Sequence, residues 1–112
     1  MTYSQVKRST IHKTAYIAGP YRAKTKLGVI LNIWRARKVA KKYWKLGYAV
    51  FCPHLNSCLM DGIVPDENFL KADLKFLECS DLVVMIHEWE KSEGSKSEFW
   101  LAKRLGKEII ME

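Results

Sequence analysis

Leu82-Val83-Val84-Met85-Ile86 is followed by His87-Glu88-Trp89-Glu90-Lys91-Ser92-Glu93-Gly94 and then by Ser95-Lys96-Ser97-Glu98-Phe99-Trp100-Leu101-Ala102-Lys103-Arg104-Leu105-Gly106. An unbroken apolar run of this length reads as a strand buried on both faces, as in a parallel sheet, rather than as the alternating pattern of a half-exposed antiparallel one. A short polar loop follows it. The segment from about Ser95 to Leu105 reads as an amphipathic helix closed by Gly106, where glycine suits the left-handed residue after a helix end. Glu108 to Met111 then forms the last strand.

The same alternation continues toward the N-terminus. Thr14 to Ala18 is a strand ending at Gly19-Pro20, and Leu27 to Leu46 is a long amphipathic helix closed by Gly47. Tyr48 to Cys52 is the next strand, stopped by Pro53, and a loop from His54 to Val64 precedes a helix that starts at Pro65-Asp66 and runs to about Cys79. Four strands alternating with three helices predict an α/β fold: a small Rossmann-like or flavodoxin-like three-layer sandwich, with a parallel sheet of about four strands and right-handed crossovers. No internal linker or low-complexity segment interrupts residues 1–112, so one domain is expected. Ligands of such sheets bind beyond the carboxyl ends of the strands. That rule selects Gly19 to Lys26, Pro53 to Val64, His87 to Ser95 and the tail after Met111.

The 112 residues are 48% hydrophobic and 28% charged, a globular composition. No run of about 18 apolar residues is present to cross a bilayer, and Thr2, Ser4, Gln5, Lys7, Arg8 and Ser9 lack the apolar centre of a signal peptide. A cytoplasmic protein without membrane contact is expected. Cys52, Cys58 and Cys79 are an odd number, which favours reduced, mostly buried thiols. The net charge of +7 is compatible with nucleic acid, anionic metabolites or solubility. Arg35, Lys38, Lys42 and Lys45 recur at the spacing of an outward helix face, with Ile30, Ile33, Ala40 and Trp44 largely on the other side. A solvated face is therefore preferred and a nucleic-acid partner disfavoured. Trp34, Trp44 and Trp100 on a small open sheet favour a homodimer or higher homo-oligomer.

Several residues suggest chemistry. Gly19-Pro20-Tyr21-Arg22 follows a strand: the glycine admits close ligand approach, and a guanidinium can hold phosphate oxygens bidentately. Neither G-x-G-x-x-G nor G-x-x-x-x-G-K-[ST] occurs, so no nicotinamide or other cofactor is expected. Asp73 shares a helical stripe with Phe69, Phe76 and Leu77, where a carboxylate must be paired, hydrogen-bonded or functional. Asp66 reads as a helix N-cap and Asp81 as a turn residue. Ser95-Lys96-Ser97-Glu98 fits a capping box, with Glu98 reaching back to the cap amide. Glu98 also shares a face with Ala102 and Leu105, which would turn it toward the sheet and the ligand crevice. Cys52, His54 and Cys58 lie within seven residues, but C-x-H-x-x-x-C is not a standard zinc spacing and no metal is expected. His54 and Asn56 suit the crevice wall, whereas His12 and His87 carry no readable signal.

Tyr16-Ile17-Ala18-Gly19-Pro20-Tyr21-Arg22, then Asp73, Asp81 and Trp89-x-x-Ser92-x-Gly94-x-x-x-Glu98-x-x-x-Ala102-x-x-x-Gly106-Lys107 resemble, in order and spacing, the nucleoside 2-deoxyribosyltransferase-like superfamily. Its small phage and bacterial DUF4406-type branch is the nearest pattern, and the 2′-deoxynucleoside 5′-phosphate N-hydrolases are more distant. The resemblance covers about Tyr16 to Ile110. It implies cleavage or transfer of an N-glycosidic bond in a nucleoside or nucleoside 5′-monophosphate, with Glu98 attacking C1′ and Asp73 assisting the leaving base or orienting the sugar. Ser92 and Gly94 match a 5′-phosphate loop, Gly19, Tyr21 and Arg22 match the first phosphate and sugar loop, and Trp89 is placed to stack on a base. Family enzymes usually continue beyond the position of Glu112 through an element that completes the pocket or dimer. The competing expectation is a noncatalytic module that senses or sequesters a nucleotide.

Overall fold

A computed structural model of the chain describes residues 13–58 and 60–112. The readings of Thr2 to Ser9 and of His12 lie outside the described residues. β1 (Thr14–Ala18), β2 (Ala49–Phe51), β3 (Leu82–Met85) and β4 (Glu108–Met111) form one parallel sheet in the order β2-β1-β3-β4. α1 (Lys26–Lys45), the four-residue α2 (Pro53–Asn56), α3 (Asp66–Glu78) and α4 (Glu93–Arg104) connect the strands, with a single 3-10 turn at Trp89–Lys91 before α4. β2 is two residues shorter than its sequence pattern, and α2 occupies the start of what reads as loop.

β1 and β3 carry the core because each is covered on both faces. Ala15, Ile17, Leu82 and Val84 pack with Ala36, Ala40 and Tyr43 of α1. Tyr16, Ala18, Val83 and Met85 pack on the opposite face with Leu77 of α3 and Ala102 of α4. This is the expected three-layer sandwich. The buried stripe of α1 differs from the expected one: Ala36, Ala40 and Tyr43 face the sheet, while Ile30 and Trp44 are exposed. Small side chains let the helix sit close to the strands, and periodicity alone weighted the larger apolar residues too heavily. The helix ends as expected, with Gly47 at φ 96° and Tyr48 N–H donating to Tyr43 O at 3.1 Å.

The sheet order places the site. The chain leaves β1 toward β2 on one side and returns to β3 on the other, so the switch point lies between the carboxyl ends of β1 and β3. Those ends are held together by the register Ala18↔Met85 and by Ile86 N–H donating to Ala18 O at 2.8 Å. Gly19 is required there, because a Cβ would lie 2.8 Å from Ile86 Cβ. At the opposite end, Asp81 accepts from Thr14 N–H at 2.9 Å and from its hydroxyl at 3.2 Å, tying the turn after α3 to β1.

Two readings of the cysteines and of Asp66 are corrected. All three thiols are free, but only Cys52 is buried; Cys58 is half-buried and Cys79 exposed. Asp66 is the first residue of α3 rather than its cap, and Pro65 holds the cap position without a side-chain bond. Among the described residues, no helix is long and apolar enough to cross a membrane.

Candidate active site

A cleft of about 540 Å3 opens at the switch point, bounded by the β1–α1 loop, α2, α3 and the β3–α4 loop. Its polar lining includes Tyr21, Arg22, Asn32, Arg35, His54, Asp73, Ser92 and Glu98. Each has a local reason to be there. Gly19 and Pro20 turn the chain out of β1, and Asn32 of α1 donates its amide hydrogens to Tyr21 O at 3.1 Å and Arg22 O at 3.4 Å, holding the loop against the helix. Tyr21 donates to Asp61 Oδ1 at 3.3 Å and packs edge-on to His54.

Glu98 is 9% exposed and lies one turn inside α4. The capping-box reading is therefore corrected. Ser92 caps α4, its hydroxyl accepting from Ser95 N–H at 3.2 Å, and the helix begins at Glu93, three residues earlier than the sequence pattern suggests. Glu98 is thus too far into the helix to reach the cap amide. Its Oε2 has no hydrogen-bond partner, and neither does the buried hydroxyl of Tyr16 on β1. Burial pushes the Glu98 carboxyl up to about 8; the Tyr16 hydroxyl facing it favours the charged form, and the Asp73 charge opposes it. The same burial and the neighbouring carboxylates drive the Tyr16 phenol far above its ordinary value, so it stays protonated and can only donate to an ionised Glu98.

Asp73, half-buried on α3, is pushed up to about 6 by desolvation. The two carboxyls thus share one electrostatic neighbourhood at the cleft floor. His54 is 4% exposed, and its Nε2–H donates to Pro20 O at 2.9 Å, which leaves Nδ1 as an unpartnered acceptor. Burial lowers its pKa, so the ring is neutral.

Most of the cations at the mouth already have partners within the protein. Arg22 pairs with Asp66 at 2.6 Å and Lys91 with Glu88 at 3.0 Å, while Lys96 pairs with Glu93 at 3.1 Å. Arg35 is exposed, as expected of an outward face, and it also lines the cleft. Glu88 adopts a left-handed backbone at φ 70° in the β3–α4 loop and also lines the cleft, a position that no sequence pattern marks.

Of the expected site residues, Gly19, Pro20, Tyr21, Arg22, His54, Asp73, Ser92, Gly94 and Glu98 come together at the cleft. Two do not. Asn56 is exposed at the end of α2, outside the lining. Trp89 stacks on Phe99 with ring centroids 4.5 Å apart and packs against the core, also outside the lining. Tyr16, Asn32 and Arg35 are functional candidates to which the sequence assigns no role in the site, Arg35 reading as part of a solvated face. Tyr16 was hidden as one apolar-looking residue of a buried strand, and Asn32 and Arg35 as members of a helix face. Among the described residues, Cys52, His54 and Cys58 do not form a metal-ligand group.

A family model described as "Domain of unknown function (DUF4406)" matches residues 13–111. No curated protein matches the sequence. Among solved structures, a 2-deoxyribosyltransferase of Bacillus psychrosaccharolyticus superposes with a TM-score of 0.63 at 22% identity, over 88% of this chain and 70% of that one. A 2-deoxyribosyltransferase of Leishmania mexicana gives 0.61 at 19% identity, over 89% of this chain and 63% of that one.

Proposed function

Because the chain belongs to the DUF4406 family and has the fold of 2-deoxyribosyltransferases, we propose that it breaks or transfers the N-glycosidic bond of a nucleoside or nucleoside 5′-monophosphate. The observation that carries this reading is Glu98, a buried carboxyl on the cleft with an unpartnered oxygen. A carboxylate kept away from water is poorly stabilised by solvation and is correspondingly nucleophilic when it ionises.

In the proposed reaction, a Glu98 oxygen attacks C1′ while the electron pair of the glycosidic bond departs with the base. Protonated Asp73 supplies the proton that neutralises the leaving base, and its raised pKa enlarges the minor protonated fraction present near neutrality. The resulting glycosyl ester is opened by water, which completes hydrolysis, or by the ring nitrogen of a second base, which completes transfer. The buried Tyr16 hydroxyl faces Glu98 and is the donor available to stabilise its ionised form as the reaction proceeds. A 5′-phosphate would suit Arg22, Arg35 and the Ser92 hydroxyl at the cleft mouth, in competition with Asp66 for Arg22.

A second reading is a noncatalytic nucleotide-binding module. It is favoured by the burial that keeps the Glu98 carboxyl protonated below about pH 8, a form suited to donating to a bound ligand. Chromatographic detection of free base separates the two, after incubation with a panel of nucleosides and their 5′-monophosphates. The enzyme reading expects base release by wild type, reduced about 1,000-fold or more in Glu98→Gln with binding retained. It also expects a loss of about 100-fold in Asp73→Asn. Binding without base release from any member of the panel would replace it with the module.

A further inference from the structure

The whole net charge of the protein lies on one helix. Of the 19 Lys and Arg and 12 Asp and Glu, α1 holds seven of the former and none of the latter, so the remainder of the chain is neutral. Among the described residues, only Lys42 of these seven is ion-paired, to Glu112 at 2.9 Å. A solvated helix face usually mixes signs along its length. This one carries charge of a single sign, relieved by the Lys42–Glu112 pair and by Glu88 near Arg35.

The charge is organised around an aromatic. A surface groove of about 470 Å3 is lined by Leu31, Trp34, Arg35, Arg37, Lys38 and Lys41. The Trp34 ring is 58% exposed, and the Arg37 guanidinium lies 5.2 Å from its centroid, a cation–π contact that keeps the ring beside the cations. Arg35 lines both this groove and the cleft, so the two adjoin across its side chain.

We infer that α1 binds a single-stranded nucleic acid that runs along this groove and delivers one of its nucleotides, across Arg35, into the cleft. Cations that follow a backbone, with an aromatic on which an unpaired base can stack, are the general chemistry of single-strand binding without sequence preference. A duplex would supply the phosphates but keep its bases from Trp34. An acidic protein segment would supply the charge but would need neither the ring nor the adjoining cleft suited to a nucleotide. The inference rests on the proposed function for what happens in the cleft, while strand binding by α1 stands on charge and geometry alone. It changes the substrate class of that site from a free nucleotide to a nucleotide unit within a strand.

Fluorescence anisotropy of a labelled 12-nucleotide single strand, DNA and RNA in turn, tests the inference on the full chain. Wild type is expected to bind the strand at least 10-fold more tightly than it binds a 5′-monophosphate, with affinity falling steeply with salt. Arg37→Glu, Lys38→Glu and Lys41→Glu combined should flatten the slope of log K against log salt by about 2, since each single-strand phosphate contact accounts for about 0.7. Trp34→Ala should weaken binding about 10-fold at constant slope. The triple Arg37→Lys, Lys38→Arg, Lys41→Arg variant should retain binding, which distinguishes charge from a folding defect. Strand binding no tighter than mononucleotide binding would overturn the inference. So would an unchanged salt slope in the charge-reversed variant, or capture by phosphatidylserine vesicles without strand binding. Base release assayed in parallel on the monophosphate and the strand separates the two readings. Release from the monophosphate without strand binding sinks this inference alone, whereas strand binding without release from either sinks the enzyme reading alone.

Discussion

Glu98 and Asp73 hold one proton between them across the neutral range, because burial moves one carboxyl to about 8 and the other to about 6. The proposed reaction needs Glu98 ionised and Asp73 protonated, which is the minor of the two singly protonated arrangements because the shared proton rests mainly on Glu98; its population still rises and falls with the singly protonated pair. The rate of base release, as kcat/KM, is therefore expected to be bell-shaped in pH, with limbs near 6 and 8 and a maximum near 7. Asp73→Asn should abolish one limb and keep the other. A flat profile between pH 5 and 9 would show that this pair does not carry the rate-limiting proton. Glu98 was visible in the sequence as a residue with two readings, a cap partner or a carboxylate turned to the sheet. The structure distinguishes them through a register of three residues: Ser92 caps α4, and Glu98 points inward from the second turn. Tyr16, by contrast, looked like one more core residue of β1, and only the packing of α4 across that strand brings it to Glu98.

At the scale of elements, α4 decides the site, and its start is set by a single hydroxyl. Ser92→Ala should destabilise the protein by about 1 kcal/mol through loss of the cap to Ser95 N–H. Ser95→Ala should be close to neutral or stabilising, since the Ser95 hydroxyl is buried without a hydrogen-bond partner. Urea denaturation of the two variants measures the contrast, and the reverse order would restore the helix start at Ser95. The boundaries of β1, β3, α3 and β4 were legible from the sequence because apolar runs, prolines and glycines mark them. β2 and α2 were less so. Pro53 stops the strand and also suits the first turn of a helix, and Leu55 N–H and Asn56 N–H both donate to Cys52 O in that turn. That turn buries His54 against Pro20 and directs Asn56 outward, which is why two residues expected on the same wall separate.

For the whole molecule, the buried Glu98 links stability to pH. Its folded pKa of about 8 exceeds the ordinary carboxylate value near 4.5, so the native state retains a proton that the unfolded chain releases. This contribution is fully present below about pH 4.5 and is lost as pH rises through 8. Glu98→Gln lacks the penalty of a buried charge, and its Tm is expected to lie close to wild type near pH 5 and to exceed it by roughly 15 °C at pH 9. Scanning calorimetry at the two pH values would test this, and equal gaps at both would remove the linkage.

The order of elements, the parallel sheet and the helices on both faces are readable along the chain, because strand burial, helix periodicity and capping glycines are local properties, and the family resemblance adds most of the cleft residues. Tertiary structure alone decided the strand order that places the switch point between β1 and β3, the register that aims Glu98 at Tyr16, the removal of Trp89 and Asn56 from the cleft, and the adjoining of the α1 groove to it across Arg35. Each of these depends on contacts between residues far apart in the chain, for which spacing along one segment carries no information.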